Sequence, residues 1–227
     1  MRRIMIVPAY LRPVSLIAAG FLMAGTGCAG MGKSADSGFM YKNLPVSQAS
    51  AMAGDGHSVT LFGKAMPLSG PEIKAGDKLR DALVTKPDLS LVHIAGTDGK
   101  GKVRIISVVP SLDTKVCEQQ THYLSEKNNG LDRMIELITI SVDTPFAQKR
   151  FAEEAKINNV TFLSDYREAA FGKAHGLFLK DPHILTRAIM VVDKDNTVRH
   201  LQLTPDLGQL PDMDEAFRYA RSLINAS

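Results

Sequence analysis

The chain has 227 residues, of which 22% are charged and 44% hydrophobic, and its formal net charge at neutral pH is +3. These values are typical of a globular protein with enough residues for one compact core. Three arginines and no acidic residue precede Cys28, so the rest of the chain is close to neutral. The charge balance argues against the basic surface of a nucleic-acid-binding protein, and we expect no nucleic-acid partner.

The N-terminus has the pattern of an export signal. A basic start is followed by an apolar stretch over residues 14–24, which is shorter than the roughly 20 residues needed to span a bilayer. Residues 25–28, Gly-Thr-Gly-Cys, resemble a bacterial lipobox, in which the cysteine is lipidated and becomes the mature N-terminus. We predict a signal peptide over residues 1–27, lipidation at Cys28 and a location in the periplasm or cell envelope. Ordinary cleavage to a soluble exported protein is the alternative.

The rest of the chain divides into a linker and a domain. Residues 28–57 are rich in Gly, Ala and Ser without sustained periodicity, which predicts a flexible tether. Residues 58–227 alternate between strand and helix patterns, which predicts an α/β domain with mixed strand directions. The predicted order is an N-terminal β-hairpin (59–68), strands at 90–94 and 103–109, a helix at 113–128, a strand at 135–142, a helix at 145–156, a strand at 160–163, a helix at 168–175, strands at 188–192 and 197–203, and a helix at 213–224.

A single cysteine lies at the most informative junction of this domain. The apolar strand at 103–109 ends at Pro110, and Thr114 is one of three residues after it that can cap a helix. Cys117 then falls in the first turn of that helix, where unpaired N–H groups and the helix dipole favour a thiolate. A lone cysteine is by default a small buried hydrophobe. The combination of strand, proline, caps and first-turn thiol instead indicates an activated nucleophile.

Pro110, Thr114 and Cys117 spell P-x-x-x-T-x-x-C, and the longer string P-S-x-D-T-x-V-C includes them. This string resembles the peroxidatic motif of bacterial thiol peroxidases in the peroxiredoxin family. The segment at 141–151 and the Thr-Arg-Ala triplet at 186–188 resemble the same family. The resemblance, from about residue 58 onward, implies a thioredoxin-like fold in which a mixed central sheet is flanked by helices.

The resemblance also implies the reaction. Cys117 would reduce hydrogen peroxide or organic hydroperoxides and become a sulfenic acid. Thr114 would bind a peroxide oxygen, and Pro110 would shield the thiolate from water. Arg187 matches the family's arginine, which stabilises the thiolate and polarises the leaving oxygen. No cofactor is implied.

One position departs from the pattern of the atypical two-cysteine subgroup. Its members carry a second cysteine after the F-A-Q-x-R-F segment, and here that position is Ala152. The departure implies a one-cysteine peroxidase that is reduced by an external thiol or a thioredoxin-like partner. Cys28, if not lipidated, is an alternative resolving thiol, because a flexible tether of about 29 residues reaches roughly 30 Å.

Two further expectations concern function and assembly. Loss of the second cysteine leaves open an alternative class, a non-catalytic redox sensor or binding lipoprotein that kept the fold. The resemblance implies a homodimer, since members of the family are often dimers through this domain. Six histidines show no metal-ligand spacing, so we predict no metal site.

Overall fold

The computed structural model describes residues 38–96 and 101–225. In chain order these residues form β1 (Ser58–Leu61), β2 (Lys64–Ser69), β3 (Leu83–Thr85), β4 (Leu91–His93), β5 (Arg104–Val108), α1 (Lys115–Glu126), β6 (Glu136–Ser141), α2 (Pro145–Glu154), β7 (Thr161–Ser164), α3 (Ala170–Ala174), β8 (Phe178–Leu179), β9 (Ile184–Leu185), β10 (Ala188–Val192), β11 (Val198–Leu203) and α4 (Met213–Asn225). None of the helices in these two ranges is both long and apolar enough to cross a membrane.

The central sheet of the described chain has seven strands in the order β11-β10-β5-β6-β7-β3-β4. β5, β6 and β7 run parallel, with α1 and α2 in the two crossovers. β10 runs antiparallel to β5 on one side and to β11 on the other. The sheet confirms the predicted mixture of strand directions, and a short turn joins β10 to β11.

Two apolar layers cover the two faces of this sheet. Every residue of β5 is buried, and successive side chains point to opposite faces. Ile106 joins one cluster with Phe171, and Ile105 joins a second cluster with Leu124 and Phe217. Burial of one such side chain contributes roughly 1.5–3 kcal/mol to folding. The second cluster fixes α1 and α4 against the sheet, and α1 follows directly from the carboxyl end of β5.

A smaller sheet in the described chain has the strand order β1-β2-β8-β9. Its β1–β2 pair is the predicted N-terminal hairpin, closed by Phe62 and Gly63 with φ values of 51° and 76°. Two residues with positive φ form the turn that matches the twist of a hairpin. β8 and β9 were not predicted, because two-residue strands carry no readable periodicity.

The end of α3 contains a fully buried histidine. Nδ1 of His175 donates to the carbonyl of Phe171 at 2.8 Å, and Nε2 accepts from the N–H of Arg80 at 3.0 Å. Both ring nitrogens are therefore used by one neutral tautomer. Burial lowers the pKa of His175 to about 4.

Residues 38–57 lie on the domain, whereas the sequence predicts a flexible tether there. The N–H of Lys42 donates to Oε1 of Gln119 at 2.8 Å, and Nε2 of Gln119 returns a bond to the carbonyl of Lys42 at 2.9 Å. The amides of Ser47 and Ala51 donate to carbonyls near the C-terminus at 2.8 and 2.9 Å. The structure differs from the prediction because these bonds use backbone groups, which composition does not reveal.

Candidate active site

Cys117 is the third residue of α1, which begins at Lys115 after the N-cap Thr114. The cysteine is 0% exposed and belongs to the apolar cluster between α1 and the sheet. The N–H groups in the first turn of a helix have no partners within the helix and form the positive end of its dipole. This position favours negative charge on Sγ.

A buried cation lies against the sulfur. Arg187, the residue before β10, is 2% exposed, and its Nη2 is 3.3 Å from Sγ of Cys117. Its Nε donates to the carbonyl of Leu207 at 3.0 Å. No ion pair in the described part of the chain includes Arg187. The guanidinium of Arg187 therefore donates to the sulfur of Cys117.

Gln120 holds that arginine in place. Its Oε1 accepts from Nη1 of Arg187 at 2.8 Å, and its Nε2 donates to Oγ of Ser107 on β5 at 2.8 Å. Gln120 follows Cys117 by three residues, so both lie on the same face of α1. Sequence reasoning missed this residue. The available signal was a polar side chain at helical spacing from the cysteine.

A carboxylate that follows the neighbouring strand β6 accepts hydrogen bonds from the loop before α1. Asp143 follows β6, and its Oδ1 accepts from Oγ of Ser111 at 2.7 Å while Oδ2 accepts from the N–H of Leu112 at 2.7 Å. Ser164 donates to the carbonyl of Asp143. Bonds to an ionised carboxylate are stronger than neutral ones. Asp143, which sequence reasoning also missed, therefore orients the segment that leads to Cys117.

The other two predicted residues lie in this loop. Pro110 is buried at the start of the loop. Thr114 is exposed, and its hydroxyl donates to the carbonyl of Ser111 at 3.1 Å. The structure thus brings Cys117 and Arg187 into contact and gives the Thr114 hydroxyl a backbone acceptor, while the predicted bond from Thr114 to a peroxide oxygen stays a prediction.

Two positions bear on a possible second thiol, Ala152 and Cys28. Ala152 is on α2, partly buried against the cluster that contains Cys117. Cys28 and the predicted signal peptide lie outside the described residues. Across residues 38–96 and 101–225, no group of three His, Cys, Asp or Glu side chains is arranged to hold a metal ion.

Comparisons with known proteins agree with this geometry. The sequence profile of the Redoxin family matches residues 74–217. The chain is 40% identical over 167 residues to a thiol peroxidase of Halalkalibacterium halodurans, covering 74% of this chain and 99% of the relative. It is 38% identical over 165 residues to a thiol peroxidase of Streptococcus pneumoniae, covering 73% and 99%.

A comparison with solved structures identifies the same kind of protein as the sequence comparisons. The crystal structure of a peroxiredoxin-like protein from Aquifex aeolicus superposes with a TM-score of 0.69 at 36% identity, covering 76% of this chain and 98% of that one. This similarity confirms the predicted thioredoxin-like fold. The chain therefore belongs to the redoxin family, among the thiol peroxidases of the peroxiredoxin type.

Proposed function

We propose that this protein is a thiol-dependent peroxidase that reduces hydrogen peroxide or organic hydroperoxides at Cys117. The observation that carries the proposal is the 3.3 Å contact between Sγ of Cys117 and Nη2 of Arg187, a buried cation that forms no ion pair with a carboxylate among the described residues. A thiolate is the reactive form of a cysteine nucleophile. The site therefore favours the species that attacks a peroxide.

The first step transfers one oxygen atom to sulfur. The Cys117 thiolate attacks one peroxide oxygen, and an S–O bond forms as the O–O bond breaks. The bonding electrons move to the leaving oxygen, which takes a proton and departs as water or an alcohol. Arg187 and the first-turn N–H groups stabilise the charge that develops on that oxygen. Cys117 is left as a sulfenic acid.

The second step requires a thiol from outside the site. The position of the family's second cysteine is Ala152, so an intramolecular disulfide between α1 and α2 has no partner there. We infer that an external thiol or a thioredoxin-like protein reduces the sulfenic acid. This one-cysteine cycle suits an exported protein, since cytosolic reductants are absent from the envelope.

Location and assembly complete the proposal. The N-terminal pattern supports export, with the domain held to the membrane through a lipid on Cys28 in the periplasm or cell envelope. Cleavage of residues 1–27 without lipidation would leave the same domain soluble. Assembly as a homodimer is proposed on the family resemblance alone.

The test is stopped-flow oxidation of the full-length protein by hydrogen peroxide, with mass spectrometry of the peptide that contains Cys117. We expect rapid addition of one oxygen, no addition in Cys117→Ser, and roughly 100-fold slower addition in Arg187→Ala, as for loss of one charge-stabilising donor. Arg150→Ala is the matched control, because that arginine has an exposed side chain on α2 and should leave the rate unchanged. Oxidation no faster than that of a free thiol would overturn the proposal.

The complete burial of Cys117 favours one other candidate, a redox sensor that is oxidised once and does not turn over. The two functions differ in the reduction step. A peroxidase consumes peroxide repeatedly in the presence of an excess of a small thiol, whereas a sensor stops after one equivalent.

A further inference from the structure

The face of α1 that points away from the sheet is covered by a short segment of the same chain, residues 39–42, which we call the strap. Phe39 stacks on His122 with ring centroids 3.9 Å apart and planes inclined by 12°. The backbone of Lys42 exchanges two hydrogen bonds with the side-chain amide of Gln119, at 2.8 and 2.9 Å. The strap is therefore fixed by both stacking and reciprocal hydrogen bonding.

The strap also reaches the last turn of α1. The hydroxyl of Tyr41 donates to Oε2 of Glu126 at 2.8 Å, and Nζ of Lys127 lies 5.0 Å from the centre of the Tyr41 ring. The strap thus contacts α1 from Gln119, two residues after the cysteine, to the end of the helix. Any displacement of the helix from the sheet must carry the strap with it or break these contacts.

This segment lies outside the residues that the family profile matches. The Redoxin profile begins at residue 74, and the thiol peroxidase of Halalkalibacterium halodurans matches 167 of the 227 residues while being covered over 99% of its own length. The strap is thus an addition outside the matched profile. The hydrogen bonds and ring contacts described above fall on α1, the helix that carries the reactive cysteine.

Because Cys117 is buried, the strap affects how easily other molecules reach its sulfur. Cys117 is 0% exposed, so a thiol reductant cannot contact Sγ in the closed structure, and the opening that we infer is an outward movement of the first turns of α1, which carry the cysteine. Hydrogen peroxide is scarcely larger than water and needs a smaller opening. Local opening of this kind has a free energy set by the contacts that must break, and the strap adds to them.

We propose that the strap holds α1 closed over Cys117 and thereby limits access of the reducing thiol, so that residues 39–42 set the rate of the reduction step. The proposal rests on the peroxidase function and concerns its regulation. In the step that is limited, a thiolate attacks Sγ of the sulfenic acid, an S–S bond forms, and the hydroxyl group leaves as water after taking a proton. A second thiol then attacks the reductant's sulfur and releases the Cys117 thiol and a disulfide of the reductant.

The experiment compares full-length protein with Phe39→Ala, which removes the stack on His122. Two reactions at Cys117 are followed by peptide-resolved mass spectrometry: reduction of the sulfenic acid by dithiothreitol, and alkylation of the reduced thiol by N-ethylmaleimide. We expect Phe39→Ala to accelerate both about tenfold. Oxidation by hydrogen peroxide should stay within twofold of the parent rate. Hydrogen exchange of the α1 amides should rise in parallel.

Two matched variants separate this effect from general damage. Met40→Ala changes the neighbouring strap residue, which is 84% exposed, and should behave as the parent. Phe39→Tyr keeps the ring and should restore the parent rates. Tyr41→Phe, a milder change, replaces Phe39→Ala if that variant does not fold, with the same direction expected.

The outcomes distinguish the two proposals. Unchanged reduction and alkylation rates in Phe39→Ala would overturn the strap proposal while leaving the peroxidase intact. Loss of peroxide oxidation in Phe39→Ala would also overturn it, because the strap would then shape the reactive site itself. A parent protein that peroxide oxidises slowly would overturn the peroxidase function, and the alkylation rates would still decide whether the strap closes α1.

Discussion

The two faces of α1 are held in different ways. On the inner face, Cys117 and Gln120 are fixed by Arg187 and β5, all within the segment that matches the family profile. On the outer face, Gln119 and His122 are held by the strap, about 80 residues earlier in the chain and outside that profile. The comparison suggests that the inner face provides the chemistry and the outer face controls how readily it is reached.

The largest expected effect is on the stability of the whole domain, and it therefore concerns both faces of α1. The folded protein holds the pKa of His175 at about 4, below its ordinary value of 6.5, so the unfolded chain binds the extra proton between these values. The stabilising contribution of His175 is then full above pH 6.5 and falls by about 3 kcal/mol as the pH drops to 4, whereas Asp165, whose pKa burial raises to about 6, contributes in the opposite direction. Urea unfolding followed by circular dichroism between pH 7 and pH 4 measures this contribution as the difference between the parent and a variant without His175.

His175→Gln provides the matching test of that prediction. Glutamine does not titrate, so the part of the pH dependence that comes from this site should disappear. His183→Asn is the control, since His183 is exposed and its replacement should leave the slope unchanged. The same slope in His175→Gln and in the parent would contradict the assignment. Separate acid transitions for α1 and the sheet would show that the two faces do not unfold as one unit.

A pair of adjacent glutamines tests the difference between the faces directly. Gln120→Ala removes the acceptor for Nη1 of Arg187 and should slow peroxide oxidation of Cys117 roughly tenfold. It should also cost about 1–3 kcal/mol of stability, because buried polar groups lose their partners. Gln119→Ala breaks the bonds to Lys42 and should leave peroxide oxidation within twofold. Stopped-flow oxidation of both variants measures this, and equal slowing would remove the distinction between the faces.

The smallest expected effect is on the outer face. Tyr41→Phe removes the hydrogen bond to Glu126 and keeps the ring that lies under Lys127. We expect a loss of about 1 kcal/mol in the free energy of unfolding, the usual net value of one hydrogen bond. Urea denaturation at pH 7 checks it. A loss greater than that of Gln120→Ala would mean that the strap contributes more to the fold than the catalytic face does.

Much of the fold could be predicted because its signals are local. The apolar run at 103–109 and the proline that ends it identify β5, and the capping residues identify the start of α1. The position of Cys117 in the first turn follows from these two elements. Arg187 was selected by resemblance to a family motif, and its contact with the sulfur depends on β10 pairing with β5.

The remaining features depend on contacts between distant segments. Asp143 is 32 residues from Ser111, and Phe39 is 83 residues from His122, so no local pattern connects them. Phe39 and Tyr41 occur in a stretch whose composition resembles a linker, and their partners on α1 become visible only once the helix is packed beside them. The direction of the Thr114 hydroxyl was also beyond prediction, because a side-chain rotation changes its partner without changing the sequence pattern.

The contact of Phe39 with α1 also limits the distance between α1 and Cys28. Phe39 lies eleven positions after Cys28, and a chain of that length spans at most about 40 Å when fully extended. If Cys28 carries a lipid, the helix with the reactive cysteine is confined to a shell of that depth above the membrane. Under that condition Cys117 would react only with peroxide that comes close to the membrane surface.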